Sequence, residues 1–252
     1  MKRKFILLLT LISLFSVSCK LGYNLNSIKN NANNISKTNN QEASLNKNNI
    51  VKTINYNTFN KASSKNSIKK VKGLVNILDI DSSIVVDLKY ATKDNFTGIV
   101  LYKSKICLLR ESTAIKLKNV NTELKKMGYR IKIYDGYRPP SVQKIMWEKT
   151  PDKRYVANPY KKGSVHSKGC AVDVTIVDKY GNELEMPSKF DEFSIKASRK
   201  NPNMSTNAKK NLELLTNIML KNGFKYINSE WWHFEDVDKD KYEIVEIDPS
   251  KF

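Results

Sequence analysis

Histidine and cysteine are scarce in this chain of 252 residues, which has two histidines (His166 and His233) and three cysteines. Cys19 lies close to the amino terminus, so only Cys107 and Cys170 remain for the rest of the chain. Two cysteines are too few for a disulfide framework, and they are either a single pair or two buried free thiols. Any site that needs imidazole must draw on the same two histidines.

Long apolar runs are missing after residue 17. The first nineteen residues place three basic residues before an apolar run from Phe5 to Val17, and a small-residue site follows. This run is shorter than the roughly 20 residues of a membrane-spanning helix, so residues 1–19 are predicted to be a secretory signal peptide. Cys19 is a candidate for acylation as in bacterial lipoproteins, with plain secretion as the alternative. We therefore expect a protein at the outer face of the cell membrane or a secreted one.

Acidic residues are nearly absent from the first 72 residues, which hold thirteen Lys or Arg against Glu42 alone, a net charge of +12 out of +19. Residues 20–72 contain fifteen Asn and ten Lys without an apolar period, which predicts a disordered linker. The other 180 residues carry only +7, so the charge gives little support to nucleic-acid binding. The basic arm favours a tether along an anionic cell wall or membrane, with simple solvation as the alternative.

Residues 73–252 are long enough for one well-packed domain and short for two. Apolar periodicity predicts three helices, at about 111–127, from Pro140 onward, and at about 207–220. Alternating patterns predict strands in 77–90, 131–134, 171–176 and 224–227. Because helices and strands do not alternate regularly, we expect an α+β fold with a mainly antiparallel sheet packed by helices.

The segment around the first histidine reads GSVHSKGCAVDVTIVD. Side chains alternate along a strand, so Asp173 and Thr175 are predicted to share one face while Val172, Val174 and Ile176 share the other. An aspartate on a core strand is costly to leave unpaired. Asp173 therefore requires a metal ion, a cation or several hydrogen-bond donors.

The segment around the second histidine reads NSEWWHFED, with Glu230 three residues before His233. Large aromatic residues at one place form a dry wall, and a carboxylate within it binds its proton more tightly. Two imidazoles and one carboxylate leave a fourth position open on a tetrahedral zinc ion, which is typical of a catalytic site. Glu230 would then be a general base. The alternative is a capped loop histidine at 166 and a core histidine at 233, hydrogen-bonded to Glu230 or Asp173.

Five motifs between residues 90 and 235 occur in a fixed order: YATKDNFTG, YDGYRP, SVHSKGCAVD, MPSKFD and EWWHF. Together they resemble the signature blocks of the D-alanyl-D-alanine dipeptidases, a branch of the zinc D,D-peptidases. The resemblance implies the zinc D,D-peptidase (hedgehog-like) fold for residues 73–252. It also implies hydrolysis of the D-alanyl-D-alanine dipeptide with one zinc ion per chain, in cell-wall peptide turnover or salvage.

The resemblance assigns roles to individual residues. It implies that His166, Asp173 and His233 are the zinc ligands, Glu230 the general base, and Arg138 the cation that stabilises the oxyanion. A guanidinium held between a strand end and a Pro-Pro turn is a preorganised donor for developing negative charge. A surface salt bridge is the other interpretation of this arginine.

The resemblance also implies substrate contacts. Asp191 matches a carboxylate that holds the substrate's free ammonium, and Ser164 matches a residue near its carboxylate, so the pair would measure the length of a dipeptide. Pro187 stands where the family usually has glycine, which affects the expected shape of the ammonium pocket, and Cys170 replaces a small residue. Asp191 could instead be a helix cap for EFSIKAS.

Other functions use the same ligand types. Non-haem iron oxygenases bind their metal through two histidines and a carboxylate, but there the first histidine and the carboxylate are almost adjacent, whereas His166 and Asp173 are seven apart. A wall-binding module that kept the zinc but lost catalysis is a remote alternative. Within the same fold, a D,D-carboxypeptidase or a peptidoglycan endopeptidase is the main alternative, because a tethered enzyme can reach polymerised wall.

Overall fold

The computed structural model describes residues 67–150 and 152–252, and the described part forms one compact unit. The predicted signal peptide and most of the predicted linker lie outside the described residues. Val71 forms a bridge with Leu74, and the Lys72 carbonyl accepts a hydrogen bond from Arg110, so these residues contact the domain. No helix within the described ranges is long and apolar enough to cross a bilayer.

The strands of the described residues form two sheets. They are β1 (Leu74–Asn76), β2 (Val85–Val86), β3 (Leu108–Arg110), β4 (Arg130–Asp135), β5 (Ala171–Val177), β6 (Phe224–Tyr226) and β7 (His233–Asp236). The larger sheet has the order β2-β4-β5-β7-β6, and the smaller one pairs β1 with β3. Only the β2–β4 pair is parallel, which confirms a mainly antiparallel sheet.

Helices pack against the sheets and complete an α+β domain. They are α1 (Ile77–Ile80), α2 (Glu111–Lys126), α3 (Pro140–Lys149) and α4 (Thr206–Lys221). Short 3-10 turns span Lys89–Ala91, Val165–Lys168, Ile195–Ala197, Lys239–Lys241 and Pro249–Lys251. Helices α2, α3 and α4 confirm the three predicted helices. Ser205 caps α4 by accepting a hydrogen bond from the amide of Ala208, 3.0 Å away.

The strand prediction for residues 77–90 is wrong at its start. Ile77–Ile80 forms the short helix α1, because the Asn76 side chain accepts a hydrogen bond from the Leu78 amide and begins a helical turn. Only Val85–Val86 pairs as a strand. The local cap therefore overrides the β-branched and apolar content of this segment.

The central strand β5 positions the site. All seven of its residues are buried, and Val172, Val174 and Ile176 belong to the main hydrophobic core on one face. Opposite Asp173, the pairing register places Asp135 of β4 on one side and His233 of β7 on the other. Three polar side chains are thus brought side by side across neighbouring strands.

The two cysteines of the domain are both buried free thiols, so the alternative of a disulfide is wrong. Burial raises the pKa of Cys107 well above its usual range and that of Cys170 to about 11. Both side chains therefore stay protonated and unreactive at neutral pH.

Candidate metal centre and active site

His166, Asp173 and His233 converge from three different elements, and all three side chains are buried. Asp173 lies on β5, His233 begins β7, and His166 lies in the 3-10 turn Val165–Lys168. The distance from His233 Nδ1 to Asp173 Oδ1 is 3.0 Å, and from His166 Nε2 to His233 Nδ1 it is 3.2 Å. His166 Nε2 lies 3.4 Å from the same Asp173 oxygen.

These spacings come close to those around a tetrahedral zinc ion. Zinc bonds to imidazole nitrogen and carboxylate oxygen are about 2.0 to 2.2 Å long, which separates two ligand atoms of a tetrahedron by about 3.3 to 3.6 Å. The three donor atoms lie 3.0 to 3.4 Å apart. Two nitrogens and one oxygen, with a fourth corner left for water, are a donor set that could hold catalytic zinc.

The same place favours positive charge. Burial alone would raise the pKa of Asp173, but the neighbouring His166 and His233 hold it well below its usual range. Burial would lower the pKa of His233, but hydrogen bonds to Asp173 and Glu235 raise it to about 10. The cluster therefore favours bound positive charge, either a proton on His233 or a metal ion.

Hydrogen bonds behind the histidines orient their rings. His166 Nδ1 lies 2.8 Å from the Gly136 carbonyl, so Nδ1 carries the proton in the neutral ring and Nε2 is left for a metal. His233 Nε2 lies 3.5 Å from Glu235 Oε1. This bond lowers the pKa of Glu235 to about 2 although burial opposes it, with further help from Lys239. Glu235 has a place in the site that the sequence analysis missed.

Glu230 lies on the connection between β6 and β7 and lines the same cavity as His166, Asp173 and His233, the three residues called the metal-binding group. Trp231 and Trp232 are 1% and 2% exposed, so the aromatic wall predicted here is confirmed. Burial raises the pKa of Glu230 to about 7, although the nearby His233 counteracts part of the shift. A carboxylate that titrates near neutral pH is suited to exchange a proton with a reacting group.

Arg138 is 7% exposed, so its interpretation as a surface salt bridge is wrong. Its Nε and Nη2 donate to Asp135 Oδ2 at 2.9 and 2.6 Å, and its Nη1 donates to Gln143 Oε1 at 2.9 Å. A guanidinium has five N–H donors, so two remain for a ligand in the cavity. The Nη2 atom also lies 3.7 Å from Asp173 Oδ2.

Residues without a predicted role hold this arginine. Besides the two hydrogen bonds from Arg138, the fully buried Asp135 accepts a third from the Tyr102 hydroxyl at 2.6 Å and a fourth from the Gly136 amide at 3.0 Å. Gln143 donates from its amide to the Ala157 carbonyl at 2.7 Å. Asp135 belongs to the YDGYRP motif, so its place beside Arg138 in that motif was the available signal.

Asp191 lines the same cavity as His166, Asp173 and His233. Its Oδ1 accepts a hydrogen bond from the Tyr90 hydroxyl at 2.9 Å, and its Oδ2 accepts one from the Phe96 amide at 3.3 Å. Burial raises the pKa of Asp191 to about 7 although these bonds oppose the shift. Ser194, not Asp191, caps the 3-10 turn Ile195–Ala197, so the interpretation of Asp191 as a helix cap is wrong.

Ser164 is buried and also lines the cavity. Its hydroxyl accepts a hydrogen bond from the His166 amide at 3.2 Å and so caps the turn that presents this histidine. The structure therefore gives Ser164 a structural contact in addition to its place in the cavity wall.

A single cavity of about 280 Å³ brings the predicted site residues together. That volume is near the lower limit for ligand pockets and suits a small molecule. All seven predicted residues line it: Arg138, Ser164, His166, Asp173, Asp191, Glu230 and His233.

A family model and curated relatives of similar sequence indicate one family. Residues 70–247 match a peptidase family model described as D-ala-D-ala dipeptidase. The chain is 38% identical over 162 residues to a D-alanyl-D-alanine dipeptidase of Escherichia coli (strain K12), covering 64% of this chain and 83% of that protein. It is 28% identical over 173 residues to a D-alanyl-D-alanine dipeptidase of Enterococcus faecalis (strain ATCC 700802 / V583), covering 61% and 86%. A zinc-bound vancomycin-resistance D,D-pentapeptidase has 16% identity, coverage of 55% and 78%, and a TM-score of 0.35.

Proposed function

The chain belongs to the D-ala-D-ala dipeptidase family of peptidases, and we propose that it hydrolyses the D-alanyl-D-alanine dipeptide with one zinc ion held by His166, Asp173 and His233. The observation that supports this proposal most strongly is the single cavity into which the three metal-binding side chains, Glu230, Arg138 and Asp191 all project. Each group that peptide hydrolysis requires lies on that wall.

The chemistry divides among residues of known position. A zinc ion held by His166, Asp173 and His233 would supply a bound water of pKa near 7 and Lewis-acid polarisation of a carbonyl. The Glu230 carboxylate accepts a proton from the attacking water and delivers it to the leaving amine nitrogen. The two remaining N–H groups of Arg138 donate to the carbonyl oxygen as it gains negative charge. Because Asp135 and Gln143 already fix this guanidinium, no reorganisation is needed when that charge develops.

Asp191 is proposed to bind the free ammonium of the dipeptide. Two hydrogen bonds fix its carboxylate, and an ammonium placed beside it lowers its pKa and keeps it ionised. Ser164 is proposed to lie near the substrate carboxylate at the other end. A site that binds both charged ends of its ligand accepts only a ligand of matching length, which favours a free dipeptide over a wall-linked peptide.

Export remains a proposal that depends on the sequence of residues 1–19. We propose that the protein is secreted or is anchored through a lipid on Cys19, and that its basic arm associates with the anionic cell wall. Cell fractionation of the wild type and Cys19→Ala tests the anchor. Release of the variant from the membrane fraction supports it, and equal membrane retention of both proteins contradicts it.

Substrate comparison tests the proposed activity. D-alanine release is measured from D-alanyl-D-alanine, from its N-acetyl derivative and from wall-derived peptides ending in D-alanyl-D-alanine, each with and without a chelator. We expect chelator-sensitive hydrolysis of the free dipeptide and little of the other two. Equal or faster cleavage of the acylated or wall-linked peptides would assign the protein to D,D-carboxypeptidases or endopeptidases. Absence of any cleavage by the zinc-loaded protein would favour a non-catalytic module.

A further inference from the structure

Arg199 is a partly buried cation without an acidic partner in the described part of the chain. Burial lowers its pKa to about 10, and none of the ion pairs among the described residues involves it. Burying a charge without a counter-ion is costly unless hydrogen bonds replace its water. The groups that compensate this cation are therefore informative about its role.

The guanidinium of Arg199 binds both ends of one connection. Its Nε donates to the Ile227 carbonyl at 3.0 Å, and its Nη2 donates to the Trp231 carbonyl at 2.6 Å. The backbone amide of Arg199 donates to the Asn228 carbonyl at 3.0 Å. Glu230 lies between these anchored positions.

Further contacts fix the guanidinium itself. It lies over the rings of Tyr226 and Phe234, with its central carbon 4.6 and 4.5 Å from their centroids. Its Nη1 donates to the Thr216 hydroxyl of α4 at 2.8 Å. The planar guanidinium is thus fixed by two aromatic rings and by α4, and it in turn hydrogen-bonds to the connection.

No other described side chain binds both ends of this connection. Ile227 and Glu230 both line the cavity, so a change in the path of residues 227–231 moves the carboxylate relative to the metal-binding group. A displacement of about 1 Å in a catalytic group can cost about 100-fold in rate.

We propose that Arg199 is a positioning residue that fixes the Ile227–Trp231 connection so that the Glu230 carboxylate projects into the cavity. This inference depends on the proposed function, because it assigns Arg199 to the group that handles the proton. It predicts an effect on turnover and little effect on metal or substrate binding, since Arg199 contacts none of the residues proposed to bind the metal or the substrate.

The first test uses Arg199→Gln and Arg199→Lys in the zinc-loaded protein. We expect kcat for D-alanyl-D-alanine to fall about 10- to 100-fold in Arg199→Gln, with KM changed less than threefold and zinc content unchanged. Arg199→Lys keeps the charge and the aliphatic stem but cannot reach both carbonyls, so its kcat should also fall. Val120→Ala, a buried truncation in α2 outside the connection, controls for lost stability and should keep wild-type kcat at a lowered melting temperature.

The second test is a double-mutant cycle that combines Arg199→Gln with Glu230→Ala. If Arg199 acts through Glu230, then Arg199→Gln should change the residual rate of Glu230→Ala by less than threefold. The inference would be overturned if the losses of kcat from Arg199→Gln and Glu230→Ala multiplied in the double variant. A wild-type kcat in both Arg199 variants, or loss of zinc together with activity, would overturn it as well. Failure of Arg199→Lys as well as Arg199→Gln to fold would assign the residue to stability and overturn it too. Absence of hydrolysis by the wild type overturns the proposed function, and the inference with it.

Discussion

Replacement of Asp191 by asparagine separates a dipeptidase from enzymes that cleave longer peptides. The change removes the negative charge and keeps the volume. Oδ1 can still accept the Tyr90 hydroxyl, whereas the oxygen that accepts the Phe96 amide becomes an NH₂ group or turns away. The substrate ammonium then has no anionic partner at this end of the cavity.

The magnitude follows from the burial of this pair. Leaving one member of a buried charge pair alone costs about 2 to 5 kcal/mol, which corresponds to a loss of about 30- to 4,000-fold in kcat/KM. The lower part of the range is expected because the cavity is open to solvent on one side. An N-acetyl substrate has no ammonium, so Asp191→Asn should change its slow cleavage by less than threefold.

The assay measures kcat/KM for the free and the N-acetylated dipeptide with the wild type, Asp191→Asn and the control Glu192→Gln. Glu192 is the adjacent carboxylate, does not line the cavity and hydrogen-bonds to Ser194, so its variant should stay within twofold of the wild type. Measurements at pH 8 keep Asp191, whose pKa burial raises to about 7, mainly ionised. Equal losses on both substrates, or efficient cleavage of the N-acetyl dipeptide by the wild type, would refute an ammonium site at Asp191.

Three further predictions concern the metal, the base and the backbone. Glu230→Ala should keep its zinc and lose about 10²- to 10⁴-fold in kcat, whereas His233→Ala should lose the metal as well; metal analysis beside kinetics checks both. Burial raises the pKa of Glu230 to about 7, so kcat/KM should fall as the pH drops and this base becomes protonated. Because bound zinc lowers that pKa, the acid limb of the pH profile should lie at or below pH 7. A profile that stays flat down to pH 4 would contradict this prediction. Gly169→Ala should lower the free energy of unfolding in urea by about 2 to 5 kcal/mol, because φ is +75° and the new Cβ would collide with Leu74. At the control position Gly181 (φ +92°) nothing lies within 4 Å of the new Cβ, so Gly181→Ala should cost only about 1 to 2 kcal/mol.

The cluster of His166, Asp173 and His233 could be predicted from the sequence because the chain has only two histidines, each in a distinctive segment. Alternation along β5 placed Asp173 on the face away from Val172 and Val174, and the structure agrees. The helices followed equally well from apolar periodicity and their Pro and Gly boundaries. Local sequence patterns were sufficient to predict each helix, strand or site residue whose position depends on a single segment.

Two supporting residues, Tyr102 and Arg199, could not be predicted from the sequence, because each acts through a partner far away in the chain. Tyr102 meets Asp135 across 33 residues, and Arg199 meets Trp231 across 32. No local period marks such a pair, since nothing in either segment alone indicates its partner. The short helix at Ile77–Ile80 was missed for the opposite reason, since one capping side chain outweighed the apolar pattern.

Titration of zinc into the metal-free protein tests the central claim most directly. Metal is removed from the purified protein, zinc is returned in known amounts, and D-alanine release from D-alanyl-D-alanine is followed at each step. The rate should rise in proportion to zinc and level off at one zinc per chain, and a parallel titration of His233→Ala should show no rise. Hydrolysis by the metal-free protein, or a rate that does not respond to zinc, would contradict a zinc dipeptidase.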